Sequence, residues 1–193
     1  MSNPVRALVP TLDGPIATAL SRTSAPLTLT DLTRLLQPSS KSGIRSSCLR
    51  LVSQGLVLAV PGGYVINREH LAFPAVEHLA HMRRELLERI GQFADEWSEP
   101  PLLLGVFGSY ARRDGDEVSD IDVLCVCKSD VAGEQCSELA ERVRAWTGNT
   151  CHVLTFTPTD IHRLQKNKER ILEEWDRDLL VIRGNVEVLG ARS

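Results

Sequence analysis

Leu102-Leu103-Leu104-Gly105-Val106-Phe107-Gly108-Ser109-Tyr110-Ala111-Arg112-Arg113 leads, after a short polar loop, into Ser119-Asp120-Ile121-Asp122-Val123-Leu124-Cys125-Val126. The pattern predicts a buried strand, a Gly-Ser corner, one turn of helix, an acidic loop and a second strand that opens with two carboxylates. A glycine corner where a helix begins leaves backbone N–H groups uncovered by side chains, and such a corner suits a phosphate. Asp120 and Asp122 are two apart on a strand, so they point to the same face, roughly 6–7 Å apart along the chain. Left bare, two such charges repel by about 2–3 kcal/mol at an effective dielectric near 20. A hard cation turns that repulsion into attraction, and Mg²⁺ takes one or two carboxylates together with substrate phosphates. The two features on adjacent strands point to nucleotide chemistry.

Gly108-Ser109, ten intervening residues, then Asp120-Ile121-Asp122 resembles the signature of the polymerase-beta-like nucleotidyltransferase superfamily. Ala111-Arg112 after the Gly-Ser, and Ser119 before the first Asp, resemble its small bacterial branch, the minimal nucleotidyltransferases. The motif covers about two dozen residues and implies a domain of residues 100–193. The resemblance implies transfer of a nucleoside monophosphate from an NTP to a hydroxyl acceptor, with Mg (or Mn) as cofactor. It assigns the triphosphate to Gly108, Ser109 and Arg112, and the metal to Asp120 and Asp122. It also implies an antitoxin reading, in which the acceptor is a toxin partner protein.

This chain departs from the pattern where the family places a third carboxylate on the following strand. Thr150-Cys151-His152-Val153-Leu154-Thr155 holds no Asp or Glu. Three readings stay open. His152 serves as catalytic base, since imidazole can accept a proton near neutral pH. Alternatively, an acid such as Asp160 or Glu187 arrives from elsewhere, or the domain binds nucleotide without turning it over. Arg113-Asp114 also replaces the small residue common after Ala-Arg.

The 193 residues are enough for two small domains, and 42% hydrophobic with 24% charged content is ordinary for a globular protein. No apolar run approaches the roughly 20 residues of a membrane span, and Met1 to Pro10 lacks the pattern of a secretory signal. Cys48, Cys125, Cys127, Cys136 and Cys151 show no zinc spacing, and a reducing cytoplasm fits them. Cys125 and Cys127 read as small core residues on the strand face opposite the Asp pair. The net charge of -3 hides an asymmetry, because residues 1–70 carry seven basic against three acidic side chains and the remainder fifteen against twenty-two. A basic first third suggests a partner of its own.

That first third predicts helices over residues 11–23, after Thr28 or Thr30, and from Ser39-Ser40 to Gln54-Gly55. Leu56 to Val60, a Pro61-Gly62-Gly63 turn, and Tyr64 to Ile66 then predict a hairpin. Three helices and a hairpin resemble a winged helix-turn-helix, here residues 1–70, which implies double-stranded DNA as partner. Lys41, Arg45 and Arg50 on the third helix are its candidate DNA contacts.

Residues 71–99 read as a linker dominated by one long helix from Pro74 to Trp97, about 36 Å in length. Its apolar stripe (Val76, Leu79, Met82, Leu86, Ile90, Phe93, Trp97) fits either a buried connector or the seam of a homodimer. Beyond the motif, a helix over Cys136–Trp146, a strand over Cys151–Phe156 and two further helices follow. Leu179–Ile182 and Val186–Leu189 read as a closing hairpin. The fold expected is α+β: winged helix-turn-helix, connecting helix, and an α/β nucleotidyltransferase-like domain with a small mixed sheet. The competing function is a DNA-binding regulator that senses a nucleotide.

Overall fold

A computed structural model describes residues 9, 11–112, 119–129 and 133–190. They divide between two compact units, one within Asn3–Arg83 and one within Arg84–Ser193. Among them no helix is long and apolar enough to cross a membrane.

The first unit contains helices α1 (Asp13–Ser21), α2 (Leu29–Leu35) and α3 (Lys41–Ser53), followed by strands β1 (Val57–Val60) and β2 (Gly63–Ile66). Local chemistry sets the starts of α2 and α3. Thr28 and Asp31 form a reciprocal capping box at α2, and the Ser40 hydroxyl accepts the Gly43 N–H at α3. Ile16, Leu20, Leu32, Ile44, Cys48, Leu51 and Val57 are buried together, joined by Phe73 and Val76. Gly63 opens β2 in the pairing Val60↔Gly63, so the turn is only Pro61-Gly62, one residue shorter than expected. A Cβ on Gly63 would meet the Leu27 carbonyl oxygen at 2.3 Å, because Leu27 bridges to Tyr64 beside the hairpin. Glycine there allows that third segment to approach.

Helix α4 (Phe73–Asp95) contributes Phe73 and Val76 to the first core, and Leu86, Ile90 and Ala94, with Trp97 just beyond its end, to a core in the second unit. Those residues of the stripe are therefore buried within the chain itself.

The second unit is a four-stranded mixed sheet in the order β5-β4-β3-β6. The strands are β3 (Leu103–Phe107), β4 (Ile121–Val126), β5 (Cys151–Phe156) and β6 (Leu180–Gly184), with β3 antiparallel to β4 and β6, and β4 parallel to β5. Helix α5 (Gly108–Arg112) follows β3, α6 (Gly133–Thr147) links β4 to β5, and α7 (Pro158–Asn167) and α8 (Ile171–Asp178) precede β6. The strand period of two sorts the sheet into two faces. Leu104, Val106, Ile121, Val123 and Cys125 pack with α4 and with Cys136, Leu139 and Val143 of α6. Leu103, Phe107, Leu124 and Val126 pack with Ile161 of α7 and Trp175 of α8, where Trp175 meets Phe107 and Phe156 edge-on at centroid distances of 6.1 and 5.3 Å. All five cysteines are free and buried, and Cys125 and Cys127 lie on the face away from Asp122, as expected.

The closing hairpin does not form. β6 pairs with β3, on the edge opposite β5, and Val186–Leu189 is a turn of 3-10 helix. The Asn185 side chain accepts the Glu187 N–H while the Asn185 N–H donates to the Leu102 carbonyl. This local turn outcompetes a second strand.

Candidate active site

The site is built where three strands end together. Phe107, the last residue of β3, pairs with Asp122 near the start of β4, and His152 on β5 pairs with Asp122 from the other side. Cross-strand partners share a face, so Asp122 and His152 stand side by side. Gly108 turns the chain out of β3 with φ +71, and a Cβ there would lie 2.8 Å from Oδ2 of Asp122. Only glycine tolerates both the left-handed backbone and that approach. The Gly-Ser corner and the Asp pair, ten residues apart in sequence, are thus brought together.

His152 Nδ1 lies 3.6 Å from Asp122 Oδ1 and 3.8 Å from Asp120 Oδ2. The side chains of His152 and Asp120 are 54% and 46% exposed, and that of Asp122 33%, so the group opens to solvent. The Asp122 carboxyl is pushed above its ordinary range, first by burial and then by the charges of Asp120 and Glu174, with the His152 imidazole working against them. Hard oxygen donors, one of them half-buried, fit a divalent cation. The described residues contain no group of three or more His, Cys, Asp and Glu that could hold a metal alone. Two carboxylates are nevertheless what Mg²⁺ accepts when phosphate oxygens complete its shell.

Arg112, expected to steady phosphate charge, donates from Nη1 to Oδ2 of the buried Asp178 at 2.5 Å. Arg177 grips the same carboxylate at 2.9 Å through both Nε and Nη2. Arg177 first, and Arg112 second among these partners, hold the Asp178 carboxyl down to about 2. Arg112 is therefore anchored to α8. Arg113 and Asp114 lie outside the described residues.

The two acids considered as substitutes for the missing third carboxylate are engaged elsewhere. Asp160 caps α7 through Thr157 and pairs with Arg163, and Glu187 accepts from the Asn185 amide in the 3-10 turn. Glu174 sits one helical turn before Asp178 on α8, and its charge adds to the upward push on the Asp122 carboxyl. Its helical spacing in the sequence carried no hint of that placement.

In the first unit, Lys41 and Arg45 are exposed on α3. Arg50 differs, because its Nε and Nη2 bind the Asp13 carboxylate at 2.8 and 2.6 Å, and Nη2 also reaches the Ser47 hydroxyl. Its charge is therefore paired with an acid of α1.

The Nucleotidyltransferase domain family profile matches residues 86–182. Two solved structures resemble the chain at low identity. One, tri-AMPylated Shewanella oneidensis HEPN toxin in complex with MNT antitoxin, matches with a TM-score of 0.37 and 14% identity over 53% of this chain and 73% of that one. The other, a toxin-antitoxin crystal structure with AMP-PNP, gives a TM-score of 0.38 and 16% identity over 55% of this chain and 75% of that one. Among curated proteins there is no match.

Proposed function

We propose, because this chain belongs to the Nucleotidyltransferase domain family, that its second unit transfers a nucleoside monophosphate from an NTP to a hydroxyl acceptor. The observation that carries the reading is the close seat of Gly108 against the Asp122 carboxylate, with His152 beside it. Gly108 and Ser109 present backbone to the triphosphate, and Asp120 and Asp122 would hold Mg²⁺ or Mn²⁺. Such a cation would neutralise phosphate charge, and a pair of them would stabilise both the entering and the leaving oxygen. Arg112, tethered by Asp178, fixes the end of α5 and adds positive charge nearby. The acceptor oxygen bonds to the α-phosphorus, the bond to pyrophosphate breaks, and the hydroxyl proton passes to His152. Nδ1 of that ring faces the carboxylates, so Nε2 is the acceptor atom.

The first unit we read as a winged helix-turn-helix that binds double-stranded DNA through Lys41 and Arg45. Three helices, two of them with side-chain N-caps, a hairpin and the basic excess of residues 1–70 support it. The His152 substitution favours one second reading, a regulator that binds nucleotide and transmits its presence to DNA affinity without turnover. Incubation with each NTP, Mg²⁺ and a cell extract separates the two. Pyrophosphate release that is lost in Asp120→Asn with Asp122→Asn is the expected result. Tight nucleotide binding with no release in any extract contradicts the transferase reading.

A further inference from the structure

We propose that Asn149 is a positioning residue for Asp120. The two carboxylates of the site are not held alike. Asp122 lies inside the sheet, with Phe107 paired on one side and His152 on the other. Asp120 precedes the first laddered residue, Ile121, so no strand pairing fixes it. Its backbone is held instead by the turn that joins α6 to β5. The Ile121 N–H donates to the Thr150 carbonyl at 2.9 Å, and the Asn149 side-chain amide donates to the Ser119 carbonyl at 3.1 Å. These two bonds bracket Asp120 on either side.

Asn149 is suited to that role. It is only 6% exposed, in a region where most polar side chains reach water. Its own N–H donates to the Thr147 hydroxyl at 3.1 Å, and that hydroxyl donates to the Val143 carbonyl at 2.7 Å. A chain of hydrogen bonds therefore runs from the body of α6 through Thr147 and Asn149 to the residue before Asp120. A buried amide that donates across 30 positions of sequence to a main-chain carbonyl stores positional information, because leaving either group unpaired is costly. Two carboxylates can share a cation only if both are placed, and Asn149 supplies the placement that the sheet does not give Asp120.

This inference rests on the reading of Asp120 and Asp122 as metal ligands, and binding of Mn²⁺ with a non-hydrolysable ATP analogue to the full chain tests it without recourse to activity. Wild type should bind, and Asp120→Asn should bind more weakly. Asn149→Ala should weaken binding about fivefold, the scale of one hydrogen bond. The double variant Asp120→Asn/Asn149→Ala should bind no more weakly than Asp120→Asn alone, because Asn149 acts through Asp120. If Asn149→Ala does not fold, Asn149→Asp keeps the shape and loses the donor. Its added negative charge would by itself favour a cation, so weaker binding supports the proposal all the more. Unchanged affinity in the folded Asn149 variant, or losses that simply add in the double variant, overturns it. A wild type that binds no Mn²⁺–nucleotide overturns the metal reading first and this proposal with it, and that outcome is visible in the wild-type titration alone.

Discussion

Asp122 and His152 occupy paired positions on parallel strands, and the imidazole Nδ1 stands 3.6 Å from the Asp122 carboxylate. An imidazole thus occupies the strand position where the family resemblance leads one to expect a third carboxylate. His152 is over half exposed, so an acceptor can reach it. If the ring takes the acceptor's proton, His152→Ala should lower turnover by about 10²–10⁴ while nucleotide affinity stays within about twofold. Steady-state kinetics beside equilibrium binding checks this. Full turnover in His152→Ala would place the proton elsewhere, and Glu174 would be the next group to substitute.

Asp178 links α8 to the helix that carries the Gly-Ser corner. Its carboxyl is held at about 2, against 3.8 for an ordinary aspartate, chiefly by Arg177 and also by Arg112. A depressed carboxyl stabilises the fold fully above the ordinary value, and that contribution disappears as pH falls through 3.8 toward 2. Asp178→Asn should therefore melt below wild type at pH 7, with the gap closing between about pH 4 and pH 2. Thermal melts across that range measure it, and a gap independent of pH would mean that packing, not charge, ties α8 to α5.

Arg45 and Arg50 share a helix but not a role. Arg45 is exposed on α3, whereas Arg50 is paired with Asp13. Arg45→Ala should weaken duplex binding uniformly across sequences and reduce the salt slope by about one. Arg50→Ala should chiefly lower the stability of the first unit, through loss of the ion pair with Asp13. Salt-dependent binding isotherms with melting curves distinguish the two. Binding that ignores salt would count against a DNA role for this surface.

Much of this was legible because the informative signals were local. Capping at Thr28, Ser40 and Thr157, the apolar periodicity of α4 and α6, and the period of two in β4 each act over a few residues. That period predicts a shared face for Asp120 and Asp122, but only Asp122 lies within β4. What the sequence left hidden depends on partners far along the chain. Nothing near Val186 indicates that β6 will pair with β3, so a second closing strand was an equally good local reading. The ion pairs of Arg50 and Arg112 are invisible in the sequence because Asp13 lies 37 positions away from the one and Asp178 66 from the other. Asn149 after Gly148 reads as an ordinary helix-ending turn, and its hold on Ser119 exists only once β4 and β5 are side by side.

The most direct measurement follows the phosphorus. Full-length protein is incubated with Mg²⁺, a cell extract as source of acceptor, and ATP, GTP, CTP or UTP labelled in parallel at the α- or the γ-phosphorus. The transfer described above requires α-label to become attached to an acceptor while γ-label leaves as pyrophosphate, and both signals should vanish in the Asp120→Asn/Asp122→Asn variant. Release of γ-label as inorganic phosphate, or α-label that stays in free nucleotide while the protein binds NTP tightly, would contradict nucleotidyl transfer.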